Sequence, residues 1–257
     1  MRDAKGFTLV ELMIAVGVAM GLLAAVYMEV NSTQRHSTSI ERKVTAQQDV
    51  KPALDIMALE IGMASYNPKA ATDLWVNPAN CSAAANQNYR GIQVATANSI
   101  VVEMDITNAP NSSGDCTATD GNGSLSDCSE IISYEYLSGT TDLRITRETI
   151  RCASSGKRTT GGAQSLLGAT EVSGVPRTVR VINNTAGTGN TAIPVFRYYD
   201  GAGAEIFPTT GNTAPIPDIR RIEIVLAVET EDVDANTGQR KKLIYSTSVI
   251  PRNHAIQ

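Results

Sequence analysis

The sequence predicts an α+β fold: a long N-terminal helix, membrane-spanning in its first half, whose second half packs on an antiparallel β-sheet head. Three observations lead there. Residues 7–28 are apolar except for Thr8 and Glu11. Farther on, Val50, Leu54, Met57, Ile61 and Ala64 recur at alternating spacings of four and three, the signature of a helix with one buried face. Beyond residue 90 the chain breaks into short β-rich runs separated by polar turns.

Taken in order, residues 1–6 form a short leader whose Arg2 and Lys5 favour the cytoplasmic side. Residues 7–28 make a helix of about 33 Å at 1.5 Å rise per residue, which matches a hydrocarbon core of about 30 Å. The span is assigned to residues 7–30. A secretory signal has a shorter apolar stretch with small residues after it, whereas here the small residue, Gly6, comes first. Glu11 lies inside the span, where a carboxylate is costly and marks a functional position. Gly17 and Gly21 form a G-x-x-x-G step suited to close helix contact, although glycine is also simply common in membrane helices.

The helix continues as a polar, amphipathic segment over residues 31–66. One helix from about residue 8 to 66 is expected, kinked or broken near Pro52 and ended by Asn67-Pro68. Its apolar stripe needs a partner, and a sheet from the same chain supplies it. Strands are expected at residues 91–95, 99–105, 130–137, 143–150, 177–182, 195–199, 204–207, 221–230 and 243–250, with Asp200-Gly201 as a hairpin turn. In the last hairpin, Ile222, Ile224, Leu226 and Val228 alternate opposite Leu243, Tyr245, Thr247 and Val249. Residues 107–129 and 153–174 read as polar loops, and residues 67–257 together form the head.

A net charge of -4 argues against a dedicated nucleic-acid binder, so no nucleic-acid partner is expected. Four cysteines, Cys81, Cys116, Cys128 and Cys152, all lie beyond the span. An even number in loop-like surroundings outside the cytoplasm favours disulfides. Three pairings are open; joining Cys116 to Cys128 closes a short loop and leaves Cys81 with Cys152. Zinc is disfavoured, because there is no C-x-x-C and His36 and His254 lie far from the cysteines in sequence.

Gly6-Phe7-Thr8-Leu9-Val10-Glu11-Leu12 resembles the processing motif of type IV prepilins and type II secretion pseudopilins. The resemblance implies cleavage between Gly6 and Phe7 by a prepilin peptidase and N-methylation of Phe7. It also implies that Glu11 pairs with the Phe7 amine of a neighbouring subunit. Residues 47–68, 131–147 and 221–253 are similar to segments of PilW-type minor pilins. This resemblance implies a pilin-like fold in a minor pilin of a type IV pilus, acting in assembly or initiation for motility, adhesion or DNA uptake. Its partners would be major and minor pilins, the peptidase, the assembly machinery and inner-membrane lipid. Its head would be periplasmic, then carried on the cell-surface filament. The alternatives are a minor pseudopilin of type II secretion and a pilus-borne adhesin.

No catalytic motif emerges: there is no G-x-S-x-G, Walker loop or H-E-x-x-H. The expectation is a non-enzyme without cofactor or metal. Residues 232–238, DVDANTG, resemble the start of a calcium loop, but the glycine is displaced and the closing Glu is missing, so a polar hairpin turn is favoured. Gly201-Ala202-Gly203 leads into a strand instead of a helix, which disfavours a dinucleotide turn.

Overall fold

A computed structural model describes residues 6–107, 121, 123–126, 129–138, 143–153, 156–168, 178–183, 193–234 and 237–255. Helix α1, Leu9–Gly62, runs 54 residues, about 80 Å. Its N-cap is Thr8. The Glu11 backbone N–H donates to Thr8 Oγ1 (3.3 Å), while the Thr8 N–H (2.9 Å) and hydroxyl (3.0 Å) donate to Glu11 Oε2. This is a capping box, which satisfies donors the first turn would otherwise leave open.

The expected break at Pro52 is absent: α1 is one unbroken helix with Pro52 inside it. Pro52 is exposed, whereas Val50, Ala53 and Leu54 beside it are buried. The carbonyl that loses its intrahelical partner therefore lies on the solvent side, and the buried neighbours hold the helical path. The helix stops at Gly62 with Met63 as C-cap, four residues before the expected end. Val50, Leu54, Met57, Ile61 and Ala64 are all buried, as the spacing predicts.

The head carries two antiparallel sheets where one is expected. The first is a meander of β1 Ile92–Ala95, β2 Ser99–Glu103, β3 Ile131–Ser138, β4 Leu143–Ala153 and β5 Gly156–Leu167. The second contains β6 Val179–Val181, β7 Phe196–Tyr199, β8 Glu205–Ile206, β9 Arg221–Val233 and β10 Arg240–Val249. Its order is β10-β9-β7-β8, with β6 pairing along the upper part of β9. Strand β5 occupies part of the expected 153–174 loop. It is an edge strand exposed over most of its length, carries glycines at 161 and 162, and shifts register against β4 there. Without a buried face it shows no apolar alternation.

One core joins α1 to both sheets. Met57 and Ile61 share one buried cluster with Ile100, Tyr134 and Ile145 from the first sheet, and Phe196, Ile222 and Leu226 from the second. In β9–β10, Ile222 pairs with Val249 and Ile224 with Thr247, with Leu243, Tyr245 and Thr247 turned inward and Ile244, Ser246 and Ser248 outward. Strand β10 lies lengthwise along α1. The hairpin tip meets the helix at Ser39 and Arg42, and Val249 lies against Gly62 at the other end. Both stretches measure about 34 Å.

Glu60 anchors the helix to the first sheet. It accepts from Arg147 Nη2 (2.7 Å) and Nε (2.9 Å) and from the Tyr134 hydroxyl. This forked pair raises the Arg147 pKa. A second, smaller core lies on the opposite face of the first sheet. There Leu74 and Trp75 cover Val101, Ile131 and Ile150. Beside it the wholly buried Glu103 accepts from the Val76 N–H (3.2 Å), and desolvation pushes its carboxyl well above the usual range.

Candidate functional site: the N-terminal anchor and its junction with the head

Gly6 and Phe7 precede the helix, and Thr8 is extended (φ -80°, ψ 152°). Phe7 is 90% exposed. The Gly6–Phe7 bond thus sits in non-helical, accessible backbone directly before a capped helix. Glu11 uses Oε2 for the capping box, and among the described residues Oε1 has no hydrogen bond. One carboxylate can therefore hold its own helix start and receive an amine from outside. An isolated carboxylate and an isolated ammonium are both expensive in hydrocarbon, so joining them offsets much of either cost.

Helix α1 contains a stretch long and apolar enough to cross a membrane, and none of that stretch is buried within the chain. A Cβ added at Gly17 or Gly21 would meet nothing within 4 Å. These glycines leave a shallow strip open to another helix.

The helix first bonds the head at Ser39. Its hydroxyl donates to Asp234 Oδ2 (2.8 Å), Arg42 Nη1 donates to the Val233 carbonyl (2.6 Å), and Arg42 Nε lies 3.7 Å from Asp232 Oδ2. The suspected calcium loop is thus a hairpin turn facing the helix: Asp234 N–H donates to the Gln239 carbonyl (2.9 Å) and Gly238 N–H to the Asp234 carbonyl (2.8 Å). Residues 235 and 236 lie outside the described residues. Among the described residues no cluster of three or more metal-capable side chains occurs.

At the other end of α1, Ser65 and His254 meet, a pairing hidden by a sequence separation of 189. Ser65 Oγ lies 3.0 Å from His254 Nδ1, and His254 Nε2 lies 3.0 Å from the Ile216 carbonyl. A carbonyl only accepts, so Nε2 carries the proton and Ser65 donates to Nδ1. Desolvation lowers the His254 pKa to about 4. With both ring nitrogens engaged and the ring wholly buried, the pair joins the helix end to the C-terminal turn α2, Arg252–Ala255.

Cys81 and Cys152 form a disulfide, one of the open pairings, which fastens the Trp75 segment to β4. Cys116 and Cys128 lie outside the described residues. The capping box was readable as Thr8-x-x-Glu11. Ser39 and Arg42 on the helix and Ser65 just beyond it gave no signal, because single polar residues acquire meaning only from distant partners.

Residues 1–27 match the family model described as the prokaryotic N-terminal methylation motif. The chain is thus prepilin-like at its N-terminus. No curated protein and no solved structure matches it. A prepilin-type start, then a long apolar helix and antiparallel sheets, define an α+β, pilin-like architecture.

Proposed function

We propose that this chain is a minor pilin, a low-copy structural subunit of a type IV pilus that acts in assembly or initiation and performs no catalysis itself. The observation that carries the reading is the matched motif, with Gly6-Phe7 and Glu11, running without a break into a helix that forms the spine of the head. In this reading a prepilin peptidase cuts between Gly6 and Phe7, and the Phe7 amine is methylated. The Glu11 carboxylate then receives the Phe7 amine of a neighbouring pilin as the helix leaves the inner membrane for the filament. The head of about 190 residues, assigned to 67–257, favours a low-copy position, because long loops obstruct dense helical packing. The periplasm is the compartment where the Cys81–Cys152 bond would persist.

Mass spectrometry of purified filaments tests this. The expected peptide begins at N-methylated Phe7, lacks residues 1–6, and is much less abundant than the major subunit. Filaments that never contain the chain, in cells that secrete normally only when it is present, point instead to a minor pseudopilin of type II secretion.

A further inference from the structure

Beyond the end of α1, on the side of the head farthest from the anchor, lies a cleft of about 580 Å³. Tyr66, Trp75, Gln87, Arg90 and Asn253 are among its walls. Several polar groups there are already engaged: Gln87 exchanges bonds with the Trp75 backbone (3.1 and 2.8 Å), and Ser65 bonds His254. Arg90 is different. Its Nη1 donates to the His254 carbonyl, which sets the plane of the guanidinium. Among the described residues no carboxylate pairs with Arg90. The nearby charge that acts on it is another cation, Arg220, whose own bonds go to the Pro217 and Ile219 carbonyls. The Tyr66 hydroxyl and the Asn253 amide also have no hydrogen-bond partner among the described residues, and Tyr66 is 41% exposed.

The backbone around the cleft is held under strain. Six non-glycine residues among those described have positive φ, and three of them, Ser65 (67°), Ala70 (49°) and Arg90 (50°), line this cleft. Such conformations persist only where the surroundings enforce them, and they concentrate at ligand sites. The enforcement is visible at Gly91, where a Cβ would fall 2.2 Å from the Glu103 carbonyl oxygen and 2.3 Å from the Ser65 nitrogen. Arg90 is thereby presented in advance of any ligand, which lowers the ordering cost of binding.

We propose that this cleft binds a carboxylate-bearing ligand, with the Arg90 fork taking the carboxylate and Tyr66 and Asn253 holding its polar body. A planar guanidinium matches a carboxylate with two parallel hydrogen bonds. With one fork and no lysine or helix N-terminus in the lining, the site suits a single negative charge better than a phosphate dianion. An acidic sugar and a peptide C-terminus share this chemistry. The inference rests on the head alone and stands apart from the filament role.

Trp75, the single tryptophan of the chain, lines the cleft and reports on it. The full chain in detergent micelles is titrated with glucuronate and with acetyl-glycyl-alanine. Glucose, the amide of that peptide and inorganic phosphate serve as counterparts, and Trp75 fluorescence is monitored. Saturable change is expected with at least one carboxylate and with neither neutral counterpart; whichever carboxylate saturates identifies a sugar or a peptide source. Arg90→Gln should weaken binding roughly tenfold or more, and Tyr66→Phe and Asn253→Ala several-fold each. Failure of both carboxylates to saturate, an equal response to the neutral compounds, tighter binding of phosphate, or unchanged affinity in Arg90→Gln overturns the proposal. Should Arg90→Gln lose its fold by circular dichroism, unchanged affinity in both other variants overturns it equally.

Discussion

In the proposed filament Glu11 answers two demands with one carboxylate. Oε2 closes the capping box with Thr8, and Oε1 remains for a partner. Glu11→Ala removes both. An exposed cap holds only the first turn of its helix, and its loss does not prevent a long apolar helix from inserting. The expected outcome is normal membrane insertion with loss of the chain from filaments, read by fractionation and by immunoblot of sheared pili. Normal incorporation of the variant would remove the pairing role. His254 makes a different residue-scale prediction. Burial lowers its pKa from the ordinary 6.5 to about 4, so the native state refuses a proton that the unfolded chain accepts. Stability is then intact above pH 6.5, falls as pH drops from 6.5 towards 4, and loses nothing further from this group below that. Integrated over the window the loss is about 3 kcal/mol. Thermal unfolding of the parent and His254→Gln at pH 7 and 4.5 checks this: the parent should lose distinctly more. Equal losses would mean that His254 does not govern the acid response.

At the scale of elements, the joint between α1 and the first sheet is the Glu60–Arg147–Tyr134 cluster. Side-chain exposure is 15% for Glu60 and 28% for Arg147, so neither charge is well solvated once its partner is gone. Glu60→Ala strands the Arg147 guanidinium against the core and should cost about 2–3 kcal/mol. The triple variant Glu60→Leu with Arg147→Met and Tyr134→Phe should recover much of that loss, because it leaves no polar group of the cluster unpaired. Midpoints of thermal unfolding by far-UV circular dichroism decide it; a single variant within about 0.5 kcal/mol of the parent would show the cluster to be incidental.

At the scale of the whole molecule, elements with one face in the core were legible and those without were not. The α1 stripe from Val50 to Ala64 and the β9–β10 alternation announce their burial, because apolar residues recur with the period of the backbone. Strand β5 bonds to β4 through its backbone while its side chains meet water, so its sequence reads as loop. Pro52 misled in the opposite sense: a local breaker was overruled by packing on both sides of it. The anchor motif was legible because chemistry fixes its residues at fixed spacing. The Arg90 cleft was not, since Ser65, Arg90 and Asn253 converge only after the helix end, the first sheet and the C-terminal turn have come together.

The lengthwise fit of β10 along α1 decides how the head would respond to a pull. The hairpin tip is tied to the helix at Ser39 and Arg42, and the far end of the strand at Gly62. Tension applied along the helix therefore runs parallel to β10 and loads the helix–strand contact in shear, so its packed residues resist together and are not peeled apart one by one. In the proposed filament role, a head built in this way could be drawn by its anchor, or tugged by its neighbours, while its outward-facing surface keeps its shape.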